Sequence, residues 1–243
     1  MTYVNFSSRS PCIFAKACRF DIAITDEYIN IGYPMTEMVE QSPAERELCL
    51  SFANTAEWHA SEHPEEKLKT YHDLVKWASI SGILSKKESQ ELIRKAESDP
   101  SRAKAVLKRA IELRESIYRA FSDVAKGNLP TEVDMAVINR NLSRIMARSR
   151  LVHTKDGFIW STSSREDEMD CMLDPIVRSA AELLTTNSLD RVKECADDRG
   201  CGYLFMDKSR NKSRRWCDMA DCGNRAKAQR FYRKRQKNQP TAS

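Results

Sequence analysis

Residues 106–124 read VLKRAIELRESIYRAFSDV, and Val106, Ala110, Leu113, Ile117, Ala120 and Val124 recur at spacings of 4, 3, 4, 3 and 4. That is the period of an α-helix with one apolar stripe, so the stretch predicts a single long helix with one face in a core. Gly127-Asn128 closes it and Pro130 follows, residues that cannot extend a helix cheaply.

The flanking sequence repeats this pattern. Asp99-Pro100-Ser101 marks a stop and a new start. Ser85, with Glu88 three residues on, predicts a capped helix running to about Ser98. Residues 66–79 read as a helix with Leu68, His72, Val75 and Ser79 on one side, ended by Gly82. Ser42-Pro43-Ala44-Glu45 has the residue types of an N-cap, N1 and N3, predicting a helix to about residue 57 with Leu48, Phe52 and Ala56 on one face. Downstream, Thr131 caps residues 132–148, with Val133, Val137, Leu142 and Ile145 inward. Leu151-Val152-His153 and Phe158-Ile159-Trp160 flank Lys155-Asp156-Gly157, a hairpin with Asp-Gly at its turn. Residues 174–186 return to helix, and 21–25 and 28–31 alternate like short strands. The expected fold class is mainly α: a helical bundle with a small β-hairpin, followed by a small cysteine-bearing module.

Composition sets the outer limits. The chain has 243 residues with 41% hydrophobic and 31% charged, the balance of a globular protein with a sizeable core. Seven Gly and eight Pro argue against a many-turned all-β fold. No run approaches the roughly 20 apolar residues of a membrane span. Lys16, Arg19 and Asp21 interrupt any signal-peptide core, so a cytoplasmic location is expected. The formal net charge of +5 is an average over unlike parts. Residues 191–237 hold 15 Lys+Arg against 6 Asp+Glu, while the rest holds 25 against 29. A mildly acidic body with a strongly basic end points to a polyanion partner, nucleic acid first among them.

The cysteines divide in the same way. Cys12, Cys18, Cys49 and Cys171 are scattered and read as buried or incidental thiols. Cys195, Cys201, Cys217 and Cys222 are separated by 5, 15 and 4 residues. In a reducing compartment two such pairs match a structural Zn²⁺ site of the four-thiolate type, with no open position for catalysis. Gly202-Tyr203-Leu204-Phe205-Met206 is β-prone and Trp216 lies beside Cys217 on the return, suggesting a short hairpin between the pairs. After Cys222 the chain reads as a helix packed through Ala226, Ala228, Phe231 and Tyr232. A knuckle, a hairpin and a last ligand at a helix mouth describe a treble-clef-like finger, too small to fold well without its metal. Between Lys208 and Lys237 there are 12 Lys+Arg, opposed only by Asp218 and Asp221. Arg210, Lys212, Arg214, Arg215, Arg225, Lys227, Arg230 and Lys234 are therefore candidate phosphate contacts. Asn211 and Asn224 could read bases, though caps and turns are the commoner use of Asn.

These residues also carry a resemblance. Cys201-Gly202-Tyr203-Leu204-Phe205, Ser209-Arg210-Asn211-Lys212-Ser213-Arg214-Arg215-Trp216-Cys217 and Cys222-Gly223-Asn224-Arg225-Ala226-Lys227-Ala228 resemble the CGNR zinc finger. Leu48-Cys49-Leu50-Ser51-Phe52-Ala53-Asn54-Thr55 and Arg178-Ser179-Ala180-Ala181-Glu182-Leu183-Leu184 resemble the opening motif and closing helix of the bacterial ABATE domain, with Ser51 where an Asp is expected. The resemblance implies a stress-induced transcription regulator that binds DNA through its zinc finger. The expected layout is an N-terminal extension (1–42), a helical ABATE-like domain (43–189), a CGNR-type finger (190–237) and a disordered tail (238–243).

Other candidates are weaker. His59 and His63 are four apart, a metal-holding spacing on a helix, but Pro64 follows and no third ligand is evident, so an exposed pair is expected. Glu166, Asp167, Glu168 and Asp170 form an acidic run, more readily a solvated loop than a cation grip. Asn54, Thr55, Trp58 and Trp160 are candidates to line a ligand pocket, against the alternative of a hydrogen-bonded core or helix end. No phosphate loop and no catalytic triad can be read, so the chain is expected not to be an enzyme. The leading reading is a zinc-dependent DNA-binding regulator whose helical body senses a small-molecule effector or self-associates. The alternatives are an RNA-binding module, or a metabolite-binding or enzymatic body tethered by the finger.

Overall fold

In the computed structural model the described residues are 47–155, 157–162 and 169–237. The strand readings within 21–31, the helix start at 42–45, three members of the acidic run (166–168), the side chain of Trp160 and the tail after 237 lie outside them. Seven α-helices occur among the described residues: α1 Leu48–Ala53, α2 Tyr71–Ile80, α3 Lys86–Ser98, α4 Pro100–Ala125, α5 Glu132–Arg148, α6 Leu173–Thr185 and α7 Asn224–Lys237. Three two-stranded antiparallel ribbons accompany them: β1 Ala56–Glu57 with β2 Glu65–Glu66, β3 Ser149–Thr154 with β4 Gly157–Thr162, and β5 Val192–Glu194 with β6 Leu204–Met206.

The long helix read from the 106–124 stripe is α4, and the bundle is built on it. Its Ala110, Leu113, Ile117 and Ala120 are wholly buried, Val106 nearly so, and Val124 packs at the edge of the core. α1, α2, α3 and α5 pack against α4, and α6 lies against α1 and α5. Helix starts follow the local chemistry. Ser85 and Glu88 form a reciprocal capping box, Asp99 caps α4 with Pro100 in its first turn, and the Thr131 hydroxyl accepts from the Asp134 amide. Each such cap contributes about 1 kcal/mol.

The structure departs from the local reading at several element ends. α1 ends at Ala53 with Asn54 as its C-cap, and Ala56–Glu57 pairs with Glu65–Glu66 in place of continued helix. α2 begins at Tyr71, because a capping box between Thr70 and Asp73 sets its start. Leu68 is then buried ahead of the helix, and His72 turns to solvent. Val133, expected inward, lies exposed in the first turn of α5, whereas Val137 and Ile145 are buried. In the β3–β4 ribbon Thr154 pairs with Gly157, so Gly157 opens the return strand instead of lying in the turn.

The finger's hairpin differs from the expected one between the two cysteine pairs. Leu204–Met206 does not pair with the Trp216 segment; it pairs with Val192–Glu194, upstream of the first clustered cysteine. Alternation explains the choice. Val192 and Leu204 reach the same core as α4, while Phe205, on the other face of β6, packs with the cysteines. The ribbon is thus shared between the helical core and the small cysteine cluster.

Candidate metal centre and basic face

β5 and β6 place the first cysteine pair. Cys195 follows β5, and its amide donates to the Tyr203 carbonyl at 2.9 Å. Between them the chain turns through Gly200-Cys201-Gly202, and both glycines have positive φ. A Cβ on Gly202 would lie 2.6 Å from the Tyr118 hydroxyl and 2.7 Å from the Ala60 amide nitrogen, and one on Gly200 would lie 2.6 Å from the Ser61 backbone. Only glycine lets this knuckle sit on the 58–61 loop and α4. The second pair comes from the return segment and from a π-turn, Met219–Gly223, that leads into α7. The Asp218 carboxylate caps that turn by accepting from the Ala220 amide at 2.6 Å. Met219–Gly223 brings Cys222 to the mouth of α7, as the sequence suggested.

The four Sγ atoms all lie within 4.8 Å of one another, and no other cluster of three or more His, Cys, Asp or Glu was found among the described residues. Cys201 and Cys217 Sγ are 3.8 Å apart, and Cys217 and Cys222 3.6 Å. A tetrahedron with Zn–S bonds of about 2.3 Å has S–S edges of about 3.8 Å, so the arrangement fits a four-thiolate Zn²⁺. All four thiols are free, at separations far beyond the roughly 2.05 Å of a disulfide. A hydrogen bond from Cys217 lowers the Cys201 thiol to about 5. The same hydrogen bond, then burial, pushes Cys217 strongly upward. Burial, together with the Cys195 and Cys201 charges, raises Cys222 to about 12. Thiolates this close repel one another, and a positive centre among them would favour the ionised form of all four. The four cysteines therefore suit one Zn²⁺.

The eight candidate phosphate contacts separate into two groups. Arg225 is committed to the fold: it bonds Asp197 at 2.7 Å, pairs with Asp221, reaches Cys222 Sγ at 2.9 Å and lies over the Trp58 ring. Burial opposes ionisation of Asp197, but hydrogen bonds from Arg225 and Arg199 outweigh it and hold the carboxyl at about 2. Arg214 donates to the Trp216 carbonyl at 2.9 Å and to that of Cys217, over the Phe205 ring. Lys212 pairs with Asp190. The other five, Arg210, Arg215, Lys227, Arg230 and Lys234, are exposed and make no ion pair among the described residues. Asn224 acts locally, its amide donating to the Ala220 carbonyl at 3.0 Å. Phe231 and Tyr232, expected to pack α7, are 58% and 63% exposed, and Ala228 is exposed too.

The proposed pocket residues are otherwise engaged. The Asn54 amide donates to the Leu204 carbonyl at 2.8 Å and accepts from the Leu204 amide at 2.9 Å, pinning α1 to β6. The buried Thr55 hydroxyl donates to the Phe52 carbonyl at 2.7 Å. Trp58, at φ +53, sits near the Arg199 and Arg225 guanidiniums at 5.2 and 5.5 Å. Asn54 and Trp58 thus join the 54–58 turn to the finger, whereas Thr55 bonds within the turn and accepts from Arg114 at 3.5 Å. His59 and His63 also part company. His63 is exposed, but His59 stacks on Tyr118 at 3.4 Å and meets Glu115 at 3.1 Å, so the expected exposed pair does not exist. Asp170, the described member of the acidic run, pairs with Arg109 and Arg148.

Two organising residues had escaped the sequence reading. Asp207 is wholly buried and accepts from the amides of Ser209 and Arg214, both at 2.8 Å, which shapes the basic loop. An Asp two residues ahead of a Ser in a polar turn is the available signal. The buried Arg114 bonds Glu66 at 2.6 and 2.7 Å and its sequence neighbour Glu115 at 2.7 Å, and nothing local marks the pairing with Glu66.

The sequence pattern of the CGNR zinc finger matches residues 191–235. That of the ABATE family, described as a "putative stress-induced transcription regulator", matches residues 46–187, more than half of the chain. A comparison with curated proteins gives no match. The helical bundle on α4 and the four-thiol finger sharing its core are accordingly those of a protein that belongs to the ABATE family and carries a CGNR zinc finger.

Proposed function

We propose that this chain is a zinc-dependent DNA-binding transcription regulator of the bacterial cytoplasm, and that its finger makes the contact. On this reading Cys195, Cys201, Cys217 and Cys222 hold one structural Zn²⁺, which cross-links the knuckle to the mouth of α7 and carries no reaction step. The division 43–189 for the helical body and 190–237 for the finger belongs to the same reading, as does a binding role in place of an enzymatic one. The observation that carries it is the gathering of four thiols beside a helix on which Lys227, Arg230 and Lys234 are exposed and make no ion pair among the described residues. Arg210, Arg215, Lys227, Arg230 and Lys234 supply about five phosphate contacts; Lys212, Arg214 and Arg225 shape the surface that presents them.

The test is fluorescence anisotropy of a labelled DNA duplex against zinc-loaded chain from 50 to 200 mM salt, salt levels at which counterion release is readily resolved. About five phosphates predict a slope of log affinity against log salt near −4.5. A slope near zero would refute the reading. Structured RNA at equal salt serves as competitor, and its preference over duplex would move the partner from DNA to RNA.

A further inference from the structure

Beside the metal centre, a groove of about 580 Å³ opens between the Arg215–Trp216 segment and one face of α7. Ala196, Trp216 and Ala226 contribute its apolar lining, and Arg215, Arg230 and Lys234, none of them in an ion pair among the described residues, its cations; the Arg215 guanidinium lies 5.4 Å from the centre of the Trp216 ring. Arg230 and Lys234 are one turn apart on α7, while Arg215 comes from the facing segment, so the positive charge stands on two sides. Arg233 and Asp198 also line the groove and are paired with each other at 3.2 Å. The Trp216 Nε1 is buried and has no hydrogen-bond partner.

These features select a class of ligand. An inorganic phosphate would satisfy the cations and leave most of the volume empty. A purely apolar ligand would bury three unpaired cations, which is costly. A ligand with an anionic end and a ring or sugar meets both demands, and the volume lies in the range of small-molecule sites. We propose that the groove binds a phosphorylated nucleoside unit, with the phosphate among Arg215, Arg230 and Lys234 and the nucleoside against Trp216 and Ala226. The unit comes either from a nucleic-acid strand, in which case the inference rests on the nucleic-acid reading above and gives that site its first contact, or from a free nucleotide.

The experiment compares wild type, Arg230→Ala, Gln229→Glu and Lys104→Ala, all as zinc-loaded full chains. The probes are a labelled 20-base-pair duplex, a labelled single strand and adenosine 5′-monophosphate. Gln229 lines the groove, whereas Lys104 is exposed on α4 away from it. Gln229→Glu, which sets a carboxylate in the groove, weakens binding about tenfold, and Arg230→Ala flattens the salt slope by about one. Lys104→Ala leaves both unchanged, and zinc content and far-ultraviolet circular dichroism stay at wild-type values in every variant. If wild type binds the duplex and both groove variants bind it equally well, the groove proposal fails and the nucleic-acid reading stands. If wild type binds the mononucleotide but neither strand, and the groove variants lose that binding, the groove proposal holds and the nucleic-acid reading fails. If wild type binds none of the probes, both fail.

Discussion

At the scale of single residues, much of the finger is held by groups far away in sequence. Gly202 has φ +66, and an added Cβ would strike the Tyr118 hydroxyl and the Ala60 backbone. Gly202→Ala is predicted to destabilise the zinc-loaded chain by about 1–3 kcal/mol, read from urea unfolding. Glu115 offers a second check. Its burial opposes ionisation, but hydrogen bonds from His59 and Arg114 outweigh that and lower its carboxyl from an ordinary 4.5 to about 2. A folded value below the unfolded one means stability that is present above pH 4.5 and lost as pH falls towards 2. Glu115→Gln lacks that contribution, so wild type and variant should differ most in melting temperature near neutrality and converge across this window. A constant difference would show that Glu115 does not titrate through these contacts. Such partnerships were not legible in the sequence, since His59 and Glu115 are 56 residues apart and Asn54 and Leu204 are 150 apart.

At the scale of elements, the sequence is readable where local chemistry decides. The apolar stripe of α4 and the caps at Ser85, Asp99 and Thr131 lie within a few residues of what they govern. The reading fails where a partner overrides it: α1 stops at Asn54 because the amide bonds β6, and β6 takes β5 as partner because both feed the α4 core. α7 shows the opposite limit. Its aromatic residues looked like packing residues yet stand in solvent, so Phe231→Ala should change stability by less than about 0.5 kcal/mol. Leu113→Ala, in the wholly buried stripe of α4, should cost about 2–5 kcal/mol in the same urea titration. Comparable costs for the two would mean that α7 packs against something other than solvent.

At the scale of the molecule, the charge asymmetry seen in the sequence acquires a location. The basic end folds around four thiols, and its ribbon is rooted in the core of the helical body through Val192 and Leu204. The cysteine spacing alone was enough to identify the metal centre, because a tetrahedral ion demands four donors and the chain offers four close together in sequence. Which cations remain free was not legible, since it depends on Asp190 and Asp197 reaching across the finger and on the Trp216 and Cys217 carbonyls accepting from the Arg214 guanidinium. One Zn²⁺ is expected to organise this region. Elemental analysis of the purified full chain tests it most directly, with Cys217→Ser as the comparison. The account predicts about one zinc per wild-type chain, and loss of both the zinc and the finger's fold in the variant. A well-folded wild-type chain that carries no metal would contradict it.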